Sequence, residues 1–214
     1  MELSMNAKKT HLLARGVLTA FAATVICIPE FGAAAAAQSA TQAARPVVGQ
    51  VSTENGVRLA EAAKNNDIKV VRALLTRGAN IDEGADGDGT ALIAAARLGN
   101  LNMVNALLQM GATVEKCWSG DGNALIAAAI KGHTEVVARL LQAGAQVDII
   151  CPYDETALIN ASRAGHLAVV RQLVEHGANV NLGTQADSKR WRTPLNQARD
   201  PKIRDFLLGK GARS

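Results

Sequence analysis

Histidines, carboxylates and cysteines are the side chains of this chain that could carry chemistry, and their spacing argues against a catalytic centre. His133 and His166 each follow a glycine and lie 33 residues apart, which favours a shared hydrogen-bonding role in a turn. Three aspartates recur with the same period: Asp88, Asp121 and Asp154. The acids around the first of them lack the spacing and the final glutamate of a calcium loop. We therefore predict no catalytic, cofactor-binding or metal-binding residues.

Two cysteines of the repeated region, Cys117 and Cys151, could react with each other. They are 34 residues apart, close to the period of the aspartates, so neighbouring turns would hold them side by side. Outside the cytoplasm two nearby thiols tend to become oxidised. The sequence supports a Cys117–Cys151 disulfide as a hypothesis, with two free, half-buried thiols as the alternative.

A repeated unit must position these residues, because the period extends through most of the chain. Thr-Ala-Leu-Ile-Ala-Ala-Ala-Arg-Leu-Gly opens the segment 90–112, and closely similar sequences open 123–145 and 156–178. A fixed period of this length indicates a repeat architecture. Only 3% of the residues are aromatic, so Ala, Leu and Val must fill the core, which favours thin layers of short helices.

Each unit carries the signals of two short helices. Side-chain oxygens can cap the first helix at Thr90, Asn123 and Thr156. Glycines stand where that helix would end in a left-handed residue, at Gly99, Gly132 and Gly165. A second apolar helix follows, and a polar, Gly- and Asp-rich segment leads to the next unit. The sequence therefore predicts a stack of helix pairs joined by projecting fingers.

The unit resembles the ankyrin repeat. It has Gly-His between its helices, Val-Val and then Leu-Leu in the second helix, and Gly-Ala-Asn-Val-Asn at 177–181. The resemblance covers 55–214 and implies an all-α solenoid of about five repeats, each a helix-turn-helix with a β-hairpin finger. The units are expected at 55–87, 88–120, 121–153, 154–186 and 187–214.

The sequence departs from the family at the Thr-Pro-Leu-His signature, which reads Thr-Ala-Leu-Ile at 90–93. That change puts the usual histidine hydrogen bond in doubt but not the fold. More narrowly, the repeats resemble the ankyrin tails of bacterial zinc metallopeptidases of the beta-lactam-sensor type. Because the chain has no His-Glu-x-x-His, the resemblance does not imply peptidase activity.

The last unit is irregular. Its finger is four residues longer than the others, its helices together are three residues shorter, and Asp200-Pro201 replaces the usual turn between them. We predict that Pro201 starts a shortened second helix. Residues 183–214 also carry eight basic and three acidic side chains, which favours a solvated polar cap over an anion-binding site.

The N-terminal segment has the three parts of a secretory signal peptide. Basic residues precede an uncharged run at 16–28, and small residues follow up to Ala37. The run is shorter than the roughly 20 residues that cross a bilayer, so we predict a signal peptide at 1–37. An uncleaved anchor is the alternative. A flexible leader is expected at 38–54, and the mature protein is expected in the periplasm or secreted, without a membrane attachment.

The aromatic residues give the best clue to function. Trp118, Tyr153 and Trp191 fall in three consecutive fingers, and exposed Trp, Tyr and Arg are typical of binding hot spots. We predict a protein-contact strip of these three residues with Arg190 and Arg192. In the alternative interpretation the rings only cover the fingers against the helix layer.

From these features we expect a non-enzymatic module that binds another protein as a scaffold or inhibitor through its fingers and concave face. The chain is expected to be a monomer, without cofactors and without nucleic acid as a partner. A second hypothesis is an accessory, protective or immunity factor for an exported enzyme or toxin. A third, an enzyme with its site in the groove, has no sequence feature in its favour.

Overall fold

The computed structural model describes residues 53–185 and 190–213. The predicted signal peptide and all of the predicted leader except its last two residues lie outside the described residues. Thr53 caps a helix that begins at Glu54, so the first described helix includes the last residue of the predicted leader. None of the helices within 53–185 and 190–213 has the length and apolar character needed to cross a membrane.

Five helix pairs follow one another along the described residues. The pairs are α1 (Glu54–Lys64) and α2 (Ile68–Thr76), α3 (Ala91–Leu98) and α4 (Leu101–Gln109), α5 (Ala124–Lys131) and α6 (Thr134–Gln142), α7 (Ala157–Ala164) and α8 (Leu167–Glu175), and α9 (Pro194–Gln197) and α10 (Pro201–Gly209). The first helices of successive pairs pack on one another, and the second helices form a looser outer layer. This arrangement confirms the all-α solenoid.

The predicted caps set the bounds of the central helices. Each capping side chain accepts a hydrogen bond from the amide three residues ahead, at 3.3 Å for Thr90, 2.9 Å for Asn123 and 3.2 Å for Thr156. At the other end the backbone turns through a left-handed glycine, with φ of 73° at Gly99. Local sequence therefore defines where each first helix begins and ends.

Small side chains allow the first helices to approach closely. Ala95, Ala128 and Ala161 are fully buried, and so are Leu125 and Leu158. The outer helices contribute Val104, Leu107 and their counterparts one repeat later, Val137 and Leu140. Because each unit buries its apolar face only against its neighbours, the core runs as a continuous strip through the stack.

Loops after the second helices are tied together by a row of polar contacts. The Glu115 carboxylate accepts from the Gln146 amide at 2.7 Å, and the Asp148 carboxylate accepts from the Asn179 amide at 3.1 Å. Asn181 accepts from the Arg213 amide at 2.8 Å. Each loop thus satisfies a backbone donor of the next repeat, which aligns successive units.

Four fingers connect the pairs: finger 1 (84–90), finger 2 (117–123), finger 3 (150–156) and finger 4 (183–193, described except for 186–189). Finger 1 contains antiparallel strands β1 (Gly84–Ala85) and β2 (Gly89–Thr90). Fingers 2 and 4 each have a single antiparallel bridge, Trp118 with Gly122 and Thr184 with Arg192. Finger 3 is a turn closed by the Asp154 amide donating to the Cys151 carbonyl at 3.0 Å.

The last unit differs from the prediction in which helix is short. Pro201 starts α10 and Asp200 caps it, as expected, but α10 has nine residues, the same as α4, α6 and α8. The prediction of a shortened second helix is therefore wrong, and the first helix, α9, has only four residues. Proline disfavours helical backbone in the residue before it, so the early Pro201 ends the first helix rather than shortening the second.

Candidate functional site

The two histidines between the helices have structural roles, as predicted. His133 Nε2 lies 3.1 Å from the Arg97 carbonyl oxygen, and His166 Nε2 lies 3.0 Å from the Ile130 carbonyl oxygen. A carbonyl can only accept, so Nε2 carries the proton in both rings. Asn100 takes the same place one repeat earlier and donates to two carbonyls of α1. Each of these side chains therefore caps the C-terminal end of the first helix of the previous repeat.

The recurring aspartates form a row of ion pairs with the ends of the first helices. Lys64 Nζ lies 2.7 Å from Asp88, and Arg97 Nη2 lies 2.6 Å from Asp121. The cation stands at the same repeat position each time, 33 residues apart. The predicted common role of these aspartates is thus a finger-to-helix ion pair in fingers 1 and 2.

The row breaks at finger 3. Ile130 occupies the cation position, so Asp154 has no side-chain cation at the equivalent place. Its Oδ1 instead accepts from the Glu155 amide at 2.7 Å and from Asn160 Nδ2 at 3.3 Å. Burial raises the pKa of the Asp154 carboxyl above its ordinary value, against the opposing effect of these hydrogen bonds.

Finger 3 also lacks the two glycines that the preceding fingers share. Gly87 and Gly120 turn with φ of 80° and 82°, and Tyr153 adopts φ of 64° at the same place. A non-glycine residue rarely adopts this left-handed conformation, and for a bulky one it is a local strain. The tyrosine side chain is nevertheless 83% exposed, so burial of the ring does not explain why it stands there.

Glu155 replaces the second glycine and joins finger 3 to finger 4. Its side chain is 3% exposed and forms ion pairs with Arg163 of α7 and with Arg192 of finger 4. Arg163 also donates to Gln197 at 3.0 Å. The carboxylate therefore holds the long finger against the helix layer, and Arg192, which we expected in the contact strip, is engaged in this network.

Trp118 does not lie on the surface. The expectation that it is exposed is wrong, because only 5% of it is accessible. Gly84 has no Cβ, and the six-membered ring of Trp118 occupies the space that a Cβ there would need. For this ring the alternative interpretation is the better one, since it covers finger 1.

Trp191 and Arg190 remain accessible. Trp191 is 62% exposed although the edge of its indole rests on Gly183, and Arg190 is exposed. Together with Tyr153, these residues are what the structure leaves of the predicted contact strip.

The structure joins Cys117 and Cys151 by a disulfide with Cα atoms 5.7 Å apart. This separation lies within the range that disulfides span. The bond connects the start of finger 2 to finger 3, beside the turn that carries Tyr153. Oxidation of the two thiols in the exported protein stays a prediction.

Three adjoining clefts run along fingers 3 and 4, and we call them together the finger groove. The first, of about 290 Å³, is lined by Ile130 and Tyr153 and by two acidic and two basic side chains: Asp121, Asp154, Arg97 and Lys131. The second, of about 480 Å³, lies between Tyr153 and Trp191. The third, of about 550 Å³, is lined by polar side chains and Trp191: Arg163, Arg190, Arg192, Asn196, Gln197 and Arg199. The groove therefore changes along its length from a cleft with equal numbers of acidic and basic side chains to a strongly basic one.

The repeats agree with a known family. Two segments, 54–117 and 115–184, match the family model described as ankyrin repeats (3 copies). The chain belongs to the ankyrin-repeat family. A search of curated proteins found no match to it. Ankyrin repeats are a protein–protein interaction module, so the finger groove is the natural candidate surface. The narrower likeness to metallopeptidase tails stays a prediction.

In the part of this ankyrin-repeat chain that the structure describes, no group of three or more His, Cys, Asp or Glu side chains could hold a metal ion. Sequence reasoning missed Ile130, Asp154 and Glu155 as parts of the groove. Alignment of the repeats contains the signal for all three, because Ile130 interrupts a column of cations and Glu155 interrupts a column of glycines. Positions that depart from the repeat therefore indicate the candidate site, whereas positions that follow the repeat indicate only the fold.

Proposed function

We propose that this ankyrin-repeat protein acts in an exported compartment as a scaffold or inhibitor that holds a segment of another protein in the finger groove. The observation that carries the proposal is the pair of exposed rings, Tyr153 and Trp191, on either side of one cleft. Exposed large aromatic residues dominate the energy of protein interfaces. Soluble proteins gain no stability from leaving them in water.

Rigidity of the groove supports this function. The disulfide fixes finger 3 to finger 2, and Glu155 fixes finger 4 to finger 3. A surface that is ordered before binding loses less conformational entropy on association, so more of the contact energy appears as affinity. The strained turn at Tyr153 fits the same interpretation, because strain of this kind concentrates at functional sites.

Export is supported by the N-terminal sequence and by the cysteines. The basic, apolar and small-residue parts before residue 38 match a secretory signal peptide. A disulfide between fingers is stable in an oxidising compartment and is rare in the cytosol. Detection of the protein in a periplasmic or culture-medium fraction, with an N-terminus near Gln38, is the expected result. A full-length protein in the cytosolic fraction would contradict it.

Site-specific photo-cross-linking tests the binding function. A photoreactive amino acid placed at position 153 or 191 should capture one defined protein in cells that produce the full chain. Placed at Arg72 or Glu175, which are exposed on the second helices, it should not. Capture of the same protein with equal yield from all four positions would show that the groove is not the binding surface.

The affinity of alanine variants for the captured protein then measures how much each ring contributes to binding. Tyr153→Ala and Trp191→Ala should each weaken binding by about 30-fold or more, as hot-spot truncations do. Leu208→Ala is the matched control, because Leu208 is a large apolar residue of similar exposure in α10. An equal effect of all three substitutions on affinity would count against the groove.

A further inference from the structure

Four positions at the ends of the first helices form one column of the repeat. Lys64, Arg97 and Arg163 are cations, and Ile130 is the exception. The first two pair with the aspartate of the following finger, and Arg163 pairs with Glu155. Within the described residues, Asp154 of finger 3 therefore has no ion pair from the repeat position that supplies one to Asp88 and Asp121.

The two oxygens of the Asp154 carboxylate differ in their hydrogen bonding within the described residues. Both hydrogen bonds that it accepts go to Oδ1, and Oδ2 lies above Gly122, at the place where a Cβ on that glycine would be. Asp154 lines the first cleft of the finger groove together with Tyr153 and Ile130, which is 38% exposed. The charged side chains of Arg97, Asp121 and Lys131 line the same cleft. Oδ2 of Asp154 thus accepts no hydrogen bond from the described residues, and Ile130 and Tyr153 provide apolar surface in the same cleft.

Charges around the cleft do not fill the place of the missing cation. Arg97 is engaged with Asp121 and with the Gly87 carbonyl, and Arg163 with Glu155 and Gln197. Lys131 lines the same cleft but forms no ion pair with Asp154 within the described part of the chain. The position that Lys64 and Arg97 fill in the preceding repeats is thus open to a cation of a bound protein.

We infer that the cleft between Ile130, Tyr153 and Asp154 receives a lysine or arginine side chain of the bound protein, whose charge completes the interrupted row of ion pairs. This inference rests on the proposed function and names the chemistry of the partner. Lysine and arginine have long apolar stems as well as a charged end. The stem would lie along Ile130 and the Tyr153 ring, and the charged end would donate to Asp154 Oδ2.

A pair of synthetic peptides provides the probe. Both are acetylated nonapeptides of sequence Gly-Ser-Ala-Leu-X-Leu-Ala-Ser-Gly with an amidated C-terminus, in which X is lysine in one and the uncharged norleucine in the other. With the full-length protein, the lysine peptide should shift the NMR signals of the Ile130 methyl groups and the Asn160 side-chain amide, and should bind at least tenfold more tightly than the norleucine peptide. Equal affinity of the two peptides would overturn the inference.

Ile130→Arg is the sharpest variant, because it supplies the missing cation from within the chain. It should leave the protein folded, with a melting temperature equal to or above that of the wild type, and should reduce lysine-peptide affinity at least tenfold. Asp154→Asn should reduce it to the affinity of the norleucine peptide. Leu98→Arg adds the same charge one repeat earlier at another exposed apolar position and should have no effect.

Two further outcomes separate the inference from the proposed function. If Lys131 served Asp154, Lys131→Gln would remove that ion pair and lower the melting temperature, which would overturn the inference. We expect an unchanged melting temperature and equal or tighter binding of the lysine peptide, because one positive charge beside the cleft is removed. If the protein captured by cross-linking still bound Ile130→Arg with wild-type affinity but lost affinity for Tyr153→Ala, the inference would fail while the proposed function stood. If the captured protein bound both Ile130→Arg and Tyr153→Ala with wild-type affinity, the inference and the proposed function would both be wrong.

Discussion

The fingers turn and attach to the helix layer in two different ways, one in fingers 1 and 2 and the other in fingers 3 and 4. The first two use Gly-Asp-Gly, in which the glycines adopt the left-handed turn and the aspartate pairs with a cation of the helix before it. Finger 3 has Tyr153 and Glu155 at the positions of the two glycines, and Arg192 of the longer finger 4 forms an ion pair with Glu155. The regular fingers have no exposed aromatic residue, whereas the irregular ones have two.

The difference shows which residues stacking alone explains. A glycine in a left-handed turn and a finger-to-helix ion pair stabilise any copy of the unit, so their recurrence carries no information about a partner. Strain at Tyr153, an unpaired side of Asp154 and a buried glutamate with two arginines give no such general advantage. These departures therefore mark the surface that is specific to this protein.

The disulfide joins the two regions, and its removal should have the largest effect. In Cys117→Ser/Cys151→Ser the unfolded chain regains the freedom of a loop of 34 residues, which should lower the free energy of unfolding by about 3–4 kcal/mol. Urea denaturation of the oxidised proteins measures it. The wild type treated with reductant should match the variant, and a variant as stable as the oxidised wild type would show that the thiols are not bonded.

Glu155→Gln should come next in size, because it leaves two arginines without their carboxylate. Breaking a buried ion pair costs about 3–5 kcal/mol, and since Arg163 and Arg192 are 31% and 27% exposed and can turn to water, we expect about 2 kcal/mol. Glu175→Gln, at an exposed position, is the control. Hydrogen exchange should speed up in finger 4 and not in finger 1; uniform acceleration would contradict the local role of Glu155.

The helix bounds were predictable from the sequence to within a few residues, because the capping residues and the helix-ending glycines recur in every central repeat. Where a signal occurs once, the prediction was weaker. Pro201 correctly gave the start of α10, but the sequence did not reveal that the lost residues come from α9. For Trp118 the amino-acid type suggested a contact residue, and only the contact with Gly84 of finger 1, which has no Cβ and leaves room for the ring, shows why it is buried.

Tyr153→Gly should remove the backbone strain of the turn in finger 3. Glycine adopts φ near 64° without steric penalty, whereas for other residues left-handed backbone costs roughly 1–2 kcal/mol. Because glycine also gains entropy in the unfolded chain, we expect a net stabilisation of about 1 kcal/mol, together with loss of binding to the partner protein. Gly120→Tyr, the reciprocal change in finger 2, should destabilise by a similar amount. A destabilised Tyr153→Gly protein would mean that the ring stabilises the fold rather than binds.

Asp154→Asn and Asp121→Asn should change stability in opposite directions, although the two residues are one repeat apart. Burial raises the pKa of Asp154, so the folded state holds the proton more tightly than the unfolded state, and ionisation of this group opposes folding. Its contribution to stability is therefore greatest below the unfolded pKa and is lost as the pH rises through the folded pKa.

At neutral pH Asp154→Asn should thus be slightly more stable than the wild type, by no more than about 0.5 kcal/mol because the site is partly exposed to solvent, and the gain should vanish as the pH falls below about 4. The amide keeps an oxygen for the Glu155 and Asn160 donors, and the neighbouring charges of Arg97, Asp121, Lys131 and Arg163 are unchanged. Asp121→Asn instead loses its ion pair with Arg97 and should be less stable by about 0.5–1 kcal/mol. Thermal unfolding of both variants between pH 3 and 8 measures the contrast. A stability change of the same sign for both variants at neutral pH would mean that Asp154 and Asp121 have equivalent electrostatic roles. It would contradict the conclusion that Asp154 lacks an ion pair.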